Sequence, residues 1–576
     1  MNRPNHQAAS SPRVLAVFLF LTTSILTHCG EGLVSEQVAA DTIFYNGHVI
    51  SINESFSIAS AMAIKDGRFL AVGQDQDILS LAGLATDRID LNGQIVVPGF
   101  IDSHIHAIRP TGHMVFLDNT KSVAEILAAF KEKVGQVAPG TWVASFPFMS
   151  LDQIEEGRLP DRWELDQVSP DHPVFIFYHG HLVAVNSCAL GEAGMAQATS
   201  QRGWVIKDPR TGEPNGWLLE DMGQRILSFF SRGGPEEILE EILRTSRDLN
   251  AVGITSVIYQ GAGSPTLDSF KALAQLRRED ALTLRWRFNY SLPRAALEDI
   301  PETIASLGPP TGYRDPWLRM GRLGEISFDG WWEPMDTAYI REPYVGSYSK
   351  HEGNGDLRFT PEFLKAVCLA AAENDLQMSV HVAGNAALDE LLDIYEEVNQ
   401  VHPINDKRWT VEHGAFLPTE KNLQQARSLG LIVTTQQSIA YFNPKAIRKM
   451  LGERRASNKF PNKTWLEGGV TVAGGSDYPA SPLSPLLEIY ASVTRKTISG
   501  DLGPEQAITR QQALELYTTN AARISFEEDL KGSIEACKLA DFVVLSEDLL
   551  TVPEEDIKDI EVLRTVVGGR TVYEKE

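Results

Sequence analysis

Cysteine is scarce in this sequence, with four residues among 576. Cys188, Cys368 and Cys537 are widely spaced and form neither a Cys-x-x-Cys pair nor the pattern of a disulfide framework. The sequence therefore predicts neither a disulfide-stabilised fold nor a cysteine-rich zinc site.

Positive charge is also scarce, because 52 Lys and Arg residues face 76 Asp and Glu residues, for a formal net charge of -24. A nucleic-acid partner would need a basic surface to meet its phosphates. The acidic residues are dispersed rather than gathered in a tail. We therefore expect no nucleic-acid partner and predict an acidic enzyme acting on a small-molecule substrate. The sequence leaves open whether the enzyme forms a homo-oligomer.

The N-terminal apolar run, residues 14–26, is too short to span a bilayer comfortably. Two arginines precede the run and Cys29 follows it, which is typical of an export signal ending at a cysteine. The segment resembles a bacterial lipoprotein signal, although His28 is unusual just before the cysteine. We predict an export signal over residues 1–28, lipidation at Cys29 and a periplasmic or membrane-anchored bacterial protein. Plain cleavage nearby and an uncleaved anchor are the alternatives.

Short alternating strands are predicted at both ends of the chain. Near the N-terminus, Asn-Gly and Asp-Gly pairs separate them, and these pairs favour tight hairpin turns. Two half-sheets at opposite ends predict one small β-sandwich domain, built from residues 41–97 plus 528–576. The predicted strands cover residues 42–45, 49–52, 61–64, 69–72, 89–91, 542–545, 562–567 and 571–573.

Between these ends, apolar strand-like runs alternate with helical patterns, as a parallel sheet or barrel requires. Eight such runs are what a closed (β/α)8 barrel of the TIM type needs, so we predict an α/β fold with this barrel over residues 98–527. The interval at about 114–244 exceeds one βα unit and is predicted to be an insertion over the barrel mouth. The predicted barrel strands cover residues 95–97, 254–259, 284–290, 325–328, 378–382, 409–412, 431–435 and 470–473.

His104 and His106 follow the run 95–97 and stand at the C-terminal end of that predicted barrel strand. In extended backbone, residues i and i+2 share a face, so both imidazoles can point at one metal ion. Three later predicted strands end in matching groups, namely His381, His413 and Asp477. Polar groups at successive strand ends are hard to explain as packing, and together they predict a metal centre.

The most specific segments are residues 98–106, 381–385, 412–414, 475–479 and 532–541. Over roughly residues 41–576 they resemble the amidohydrolase superfamily, and more narrowly its family 3 branch. In that family the His-x-His pair binds the more buried metal, the histidines after strands five and six bind the second, and the aspartate after strand eight touches metal and moves protons. The resemblance implies these roles for His104, His106, His381, His413 and Asp477, with Asp477 catalytic.

The bridging position departs from the family pattern. The branch commonly shows a lysine four residues before an Asp-Gly pair, whereas this chain has Glu325 before Asp329-Gly330. A glutamate carboxylate can bridge two ions, so we predict two divalent metals, with Glu325 as a ligand. The alternative is that Glu325 lies beside a single metal. Zinc is expected at an imidazole-rich hydrolytic site, while manganese, iron and cobalt fit the same ligands.

The predicted insertion contains an apolar strand that ends in His179-Gly180-His181. The family looks similar here, and His181 matches a histidine that faces the active site, so His181 is expected to bind substrate or the transition state. His179 is a weaker substrate-binding candidate. Glu220 is weaker still, because a carboxylate at a helix N-terminus explains it equally well. Trp331 and Trp332 follow the fourth predicted strand and would wall an apolar substrate pocket, with core packing as the alternative.

These features predict a metal-dependent hydrolase that cleaves a non-peptide, amide-type carbon–nitrogen bond by attack of metal-bound hydroxide. Asp477 would accept the proton of the attacking hydroxide and deliver it to the departing nitrogen, while His181 helps to hold the oxyanion. The same centre would suit a carbamate, a lactone or a ring carbon–nitrogen bond. A binding or regulatory relative without catalysis is a further alternative.

Overall fold

The structure is a computed structural model that describes residues 39–108, 112–145, 150–197, 204–227, 229, 234–260, 267–333, 335–346 and 353–576. The predicted export signal and its lipidation site, Cys29, lie outside these residues. In the part of the chain that is described, no helix combines the length and apolar character needed to cross a bilayer.

Eight parallel strands form a nearly closed barrel in the order in which they occur along the chain. Hydrogen bonds connect the first strand to the eighth: the Ser103 hydroxyl donates to the Gly474 carbonyl (2.7 Å), and the Asp477 N–H donates to the His104 carbonyl (2.7 Å). The predicted barrel is confirmed. Its strands are Phe100–Ile105, Ile254–Tyr259, Arg285–Tyr290, Leu318–Ser327, Met378–His381, Thr410–Glu412, Ile432–Thr435 and Thr471–Gly474.

The prediction that residues 95–97 form the first barrel strand is wrong. The strand Ile95–Pro98 pairs with Phe542–Leu545 and with His48–Ile50, outside the barrel. The first barrel strand is Phe100–Ile105, so His104 lies within this strand rather than after the preceding one. A search for apolar runs overlooks this strand, because Asp102, Ser103 and His104 make half of its six residues polar.

A β-sandwich contains strands from both ends of the chain, as predicted. The two sheets share one apolar core, in which the rings of Phe44 and Phe542 meet edge to face with centroids 5.0 Å apart. The four-stranded sheet has the order Arg68–Gly73, Ala61–Lys65, Ala40–Tyr45 and Ala82–Asp90. The six-stranded sheet has the order Arg570–Glu574, Val562–Val567, Phe542–Leu545, Ile95–Pro98, His48–Ile50 and Ile58–Ala59.

A further six-stranded sheet is formed by the part of the sequence that follows the first barrel strand and precedes the helix Pro235–Ala251. Its apolar residues share a core with Trp331 and Trp332, which follow the fourth barrel strand. This packing brings the turn at His179–His181 close to the barrel mouth. The sheet order is Val205–Lys207, Pro214–Leu219, Leu182–Val185, Val174–Tyr178, Val143–Ser145 and His113–Val115. The short pair Lys496–Thr497 and Gly500–Asp501 forms a separate hairpin.

Helices surround the barrel and cover its floor. Thr519–Ile524 packs against Ile101, Ile258 and Ile432 and fills the barrel floor with apolar side chains. The other α-helices are Asp75–Leu79, Val123–Val134, Arg162–Val168, Ser187–Glu192, Glu220–Leu227, Pro235–Ala251, Leu267–Arg278, Ile300–Ala305, Pro361–Glu373, Asn385–Val401, Glu420–Ser428, Gln437–Phe442, Pro444–Leu451, Glu453–Ala456, Asn462–Glu467, Pro485–Thr494 and Arg510–Leu516. Short 3-10 helices cover Leu151–Gln153, Leu297–Asp299, Pro504–Gln506 and Glu554–Asp559.

Candidate metal centre

The Glu325 carboxylate lies at the centre of the predicted ligand set, near the end of the fourth barrel strand. Its two oxygens face different histidines. Oε1 is 3.0 Å from His381 Nδ1 and 3.0 Å from His413 Nε2. Oε2 is 3.5 Å from His104 Nε2 and 3.6 Å from His106 Nε2. Four histidines from three other barrel strands therefore meet around one buried carboxylate.

Asp477 completes one side of this centre. Its Oδ1 is 3.2 Å from His106 Nε2 and 3.4 Å from His104 Nε2. Gly475, two residues earlier, leaves room for the approach, because a Cβ there would be 2.6 Å from the His104 backbone nitrogen. Among the described residues, two groups can hold an ion: His104 with His106 and Asp477, and His104 with Glu325 and His413. Within each group the donor atoms lie within 4.8 Å of one another.

Hydrogen bonds on the far side of three rings fix which imidazole nitrogen carries the hydrogen. Each partner is an oxygen that accepts: Glu412 Oε2 at 2.6 Å from His104 Nδ1, Gln436 Oε1 at 2.8 Å from His413 Nδ1, and the Gly330 carbonyl at 3.0 Å from His381 Nε2. Gln260 Nε2 also approaches His104 Nδ1, at 3.1 Å, but the shorter contact with the carboxylate decides the tautomer. The near nitrogens are thus left with lone pairs, the arrangement found in metal-binding histidines.

These lone pairs face carboxylate oxygens, which also only accept when ionised. Acceptors that face acceptors repel unless a cation lies among them or the imidazoles take up protons. His104 Nε2 shows the consequence most clearly, because it is buried and has no hydrogen-bond partner. Burial lowers the pKa of His104, but Glu325 and Asp477 outweigh burial and raise it. The donor set and its negative charge fit a divalent metal ion.

A buried ion pair supports His104 from below. Arg322 Nη1 donates to Glu412 Oε1 at 2.6 Å, and the Ser379 hydroxyl donates to the same oxygen at 2.8 Å. Burial disfavours the charged form of Glu412, but Arg322 and His104 outweigh it and hold its pKa well below its usual range. Sequence reasoning missed Glu412 and Arg322 as functional residues. The available signal was spacing: Glu412 stands two residues after Thr410 on the same strand, so the two side chains share a face.

Asp329 positions the loop that follows the fourth barrel strand. It accepts hydrogen bonds from the backbone N–H groups of Tyr339, Ala383 and Gly384. Burial raises the pKa of Asp329 to about 7. These bonds tie the loop to the end of the fifth barrel strand, where the Gly330 carbonyl reaches His381.

His181 and Trp331 lie beside the centre. The His181 ring stacks on Trp331 with centroids 5.6 Å apart and lies 4.9 Å from the His381 ring. Trp331 is also 5.0 Å from the ring of His413. His181 Nδ1 contacts Glu220 Oε2 at 2.9 Å, which brings Glu220 into the site's surroundings.

His179 and Trp332 lie farther back. The His179 ring stacks on Tyr178 at 4.1 Å, and its centroid is 6.3 Å from that of Trp331. Trp332 is fully buried, with the Lys459 ammonium 3.9 Å from its ring centroid. Lys459 in turn pairs with Glu333 at 3.1 Å, so the second tryptophan is held by a buried ion pair behind the first.

Known proteins resemble this chain over most of its length. The sequence model of the amidohydrolase family matches residues 87–573. Protein LONG AFTER FAR-RED 3 of Arabidopsis thaliana is 29% identical, over 93% of this chain and 92% of its own length. N-substituted formamide deformylase of Arthrobacter pascens is 28% identical, over 93% of this chain and 98% of its own length. A solved structure of an uncharacterized metal-dependent hydrolase from Pyrococcus horikoshii has a TM-score of 0.68 at 22% identity, and covers 89% of this chain and 99% of its own.

The contact between Glu412 and His104 predicts a loss of metal affinity when the carboxylate is removed. Glu412→Gln keeps the shape of the side chain but weakens the acceptor that orients His104. We expect zinc affinity to fall by about 10–100-fold, as for other partners of metal-binding histidines. Competition with a chromophoric chelator measures this affinity. Glu397→Gln, which removes an exposed carboxylate paired with Lys365, is the matched control. Equal affinities in the two variants would contradict the supporting role of Glu412.

Proposed function

Because this chain belongs to the amidohydrolase family, we propose that it is a divalent-metal-dependent hydrolase that cleaves carbon–nitrogen bonds other than peptide bonds. One observation carries the proposal: imidazole lone pairs and carboxylate oxygens converge around Glu325 at the mouth of the barrel. Imidazole and carboxylate donors together suit a catalytic divalent metal. The relative named N-substituted formamide deformylase supports an amide-type substrate.

In this proposal the chain holds two zinc ions. His104, His106 and Asp477 would hold one ion together with Glu325 Oε2, and His381 and His413 would hold the other together with Glu325 Oε1. Support comes from the division of the carboxylate between the two sets of histidines. When bound, such ions lower the pKa of a water ligand toward neutrality and polarise a substrate carbonyl.

The side chains around this centre then move protons and hold the substrate. Asp477 takes a proton from the attacking water and returns it to the leaving nitrogen. His181 binds the substrate through Nε2, the ring nitrogen on the side away from Glu220. Trp331 forms an apolar wall against which the substrate packs, while Trp332 and His179 shape that wall from behind. The contacts of Trp331 with His181 and His413 support this arrangement.

The scissile bond is tested with a substrate panel. N-substituted formamides, other small amides, carbamates, lactones and ring amides are offered to the zinc-loaded protein and to protein stripped with a chelator. We expect zinc-dependent hydrolysis of amide-type substrates to be fastest. If a carbamate, a lactone or a ring amide is hydrolysed faster, the proposed substrate class changes to that class. If zinc-loaded protein hydrolyses none of them, the hydrolase assignment is wrong.

The role of Asp477 predicts the behaviour of Asp477→Asn. The amide has nearly the same shape but cannot carry a proton between water and the leaving nitrogen. On the best substrate of the panel, kcat should fall by about 10²–10⁴-fold while at least one metal ion is retained. Asp375→Asn, at an exposed carboxylate paired with Lys407, should keep normal kcat. Near-normal turnover in Asp477→Asn would remove this residue from proton transfer.

The bridging role of Glu325 predicts the metal content of Glu325→Gln. We expect about two zinc ions per chain in the natural protein and at most about one in the variant, because a single amide oxygen replaces two carboxylate oxygens as ligands. Elemental analysis after desalting gives the count. Glu397→Gln serves again as the control for loss of one carboxylate. One ion per chain in fully active natural protein would exclude a bridge.

We also propose that the protein is exported and anchored through a lipid on Cys29. The support is the sequence itself, in which a 13-residue apolar run at 14–26 is followed shortly by Cys29. Cys29→Ser should release the protein from the membrane fraction of a bacterial host that processes lipoproteins, and metabolic labelling with a fatty acid should be lost. Unchanged membrane association and labelling would exclude lipidation. Cys537→Ser, at an exposed cysteine, is the matched control.

A further inference from the structure

Glu220 is held in place by contacts from two parts of the molecule. Its backbone N–H donates to the His181 carbonyl at 2.9 Å, and its Oε2 is 2.9 Å from His181 Nδ1. From the barrel side, the Thr337 hydroxyl donates to Oε1, and Arg358 Nη1 lies 3.6 Å from Oε2. The side chain has no solvent exposure. Glu220 thus links the inserted sheet to the loop after the fourth barrel strand.

The barrel loop is shaped around this carboxylate. A Cβ at Gly330 would lie 2.6 Å from Glu220 Oε1 and 2.1 Å from the Thr337 hydroxyl oxygen. The Gly330 carbonyl is the group that accepts from His381. Glu220 also has a left-handed backbone, with φ of 47°, which a non-glycine residue adopts at a cost. A carboxylate that served only the N-terminus of the helix Glu220–Leu227 would need none of these contacts.

The Glu220 oxygen that contacts Nδ1 decides the tautomer of His181. Burial raises the pKa of Glu220, but His181, Arg358 and Thr337 outweigh burial and lower it, so the carboxylate is ionised. An ionised carboxylate only accepts, and His181 Nδ1 therefore carries the hydrogen. The ring's other nitrogen, Nε2, lies on the side away from Glu220. The stack on Trp331 holds the ring in this plane.

We propose that Glu220 is a positioning residue: it fixes the tautomer and orientation of His181 so that Nε2 faces the reacting atoms, and Thr337 and Arg358 hold it in place. This inference rests on the proposed function, in which His181 contacts the substrate. It assigns to the inserted sheet a specific part in the chemistry of the barrel.

Two substitutions separate positioning from helix capping. Glu220→Gln keeps the reach of the side chain and an oxygen that accepts from Nδ1, but loses the charge that favours a helix N-terminus. Glu220→Asp keeps the charge but withdraws the carboxylate from the ring. Positioning predicts that kcat falls by about 10–100-fold in Glu220→Asp, as for other residues that orient a functional histidine, with KM nearly unchanged and Glu220→Gln clearly more active. The reverse order, with the Asp variant active and the Gln variant impaired, would overturn the proposal.

A double-mutant cycle tests whether Glu220 acts through His181. In a His181→Ala background, Glu220→Asp should lower kcat no further, since its target is gone. Additive losses in the double variant would show a separate role and overturn the proposal. Glu213→Gln, at an exposed residue of the same inserted region that pairs with Arg162, should leave kcat unchanged in both backgrounds.

A readout without substrate distinguishes this inference from the proposed function. In zinc-loaded protein with 15N-labelled histidine, the signals of His181 are those missing from His181→Ala. They should report a hydrogen on Nδ1 in the natural protein and in Glu220→Gln, and a shift toward the Nε2–H form in Glu220→Asp. An unchanged tautomer in Glu220→Asp overturns the positioning role. If the tautomer shifts but no panel compound is hydrolysed, the proposed function fails while the structural assignment stands.

Discussion

The barrel mouth depends on one buried carboxylate, Glu325, which lies between two sets of imidazoles. Glu325 and Asp477 bring two negative charges into a site where the neighbouring rings offer lone pairs rather than N–H groups. Isolated buried charges of this kind are costly unless they are paired or bind a metal. The geometry is therefore that of a site completed by a cation, and the surrounding strand ends hold these groups a few ångströms apart.

The barrel interior keeps these groups in place. Below His104, the Glu412 carboxylate and the Arg322 guanidinium form a buried ion pair, with Ser379 bound to the same oxygen. A buried pair adds little net stability, but it fixes geometry, because loss of either partner leaves an unpaired charge. Apolar side chains fill the barrel floor, where Thr519–Ile524 packs with residues of four barrel strands. The half of the barrel interior nearer the mouth is polar, because the side chains there orient the candidate ligands.

Periodicity and spacing predicted most of this architecture. The first and last residues of the sandwich strands Phe542–Leu545 and Val562–Val567 were predicted correctly, because apolar runs bounded by polar or turn residues leave little choice of strand ends. The ligand candidates could be chosen because barrel strands place their last residues at one rim. The first barrel strand was missed because its function makes it polar. Glu412 and Arg322 were missed because their importance lies in pairing across three strands, which spacing along one chain does not reveal.

The barrel and the inserted six-stranded sheet have different roles. Strand ends of a closed barrel cannot move independently, which suits groups that must hold an ion at fixed distances. The inserted sheet instead brings His181 from the side, through a turn in which His179 and Gly180 both have left-handed backbone. Such a turn can change in length or sequence without disturbing the barrel. The candidate ligands of the metal centre lie on barrel strands or directly after them. The insertion and the loop that carries Trp331 border this centre, and the two meet at Glu220.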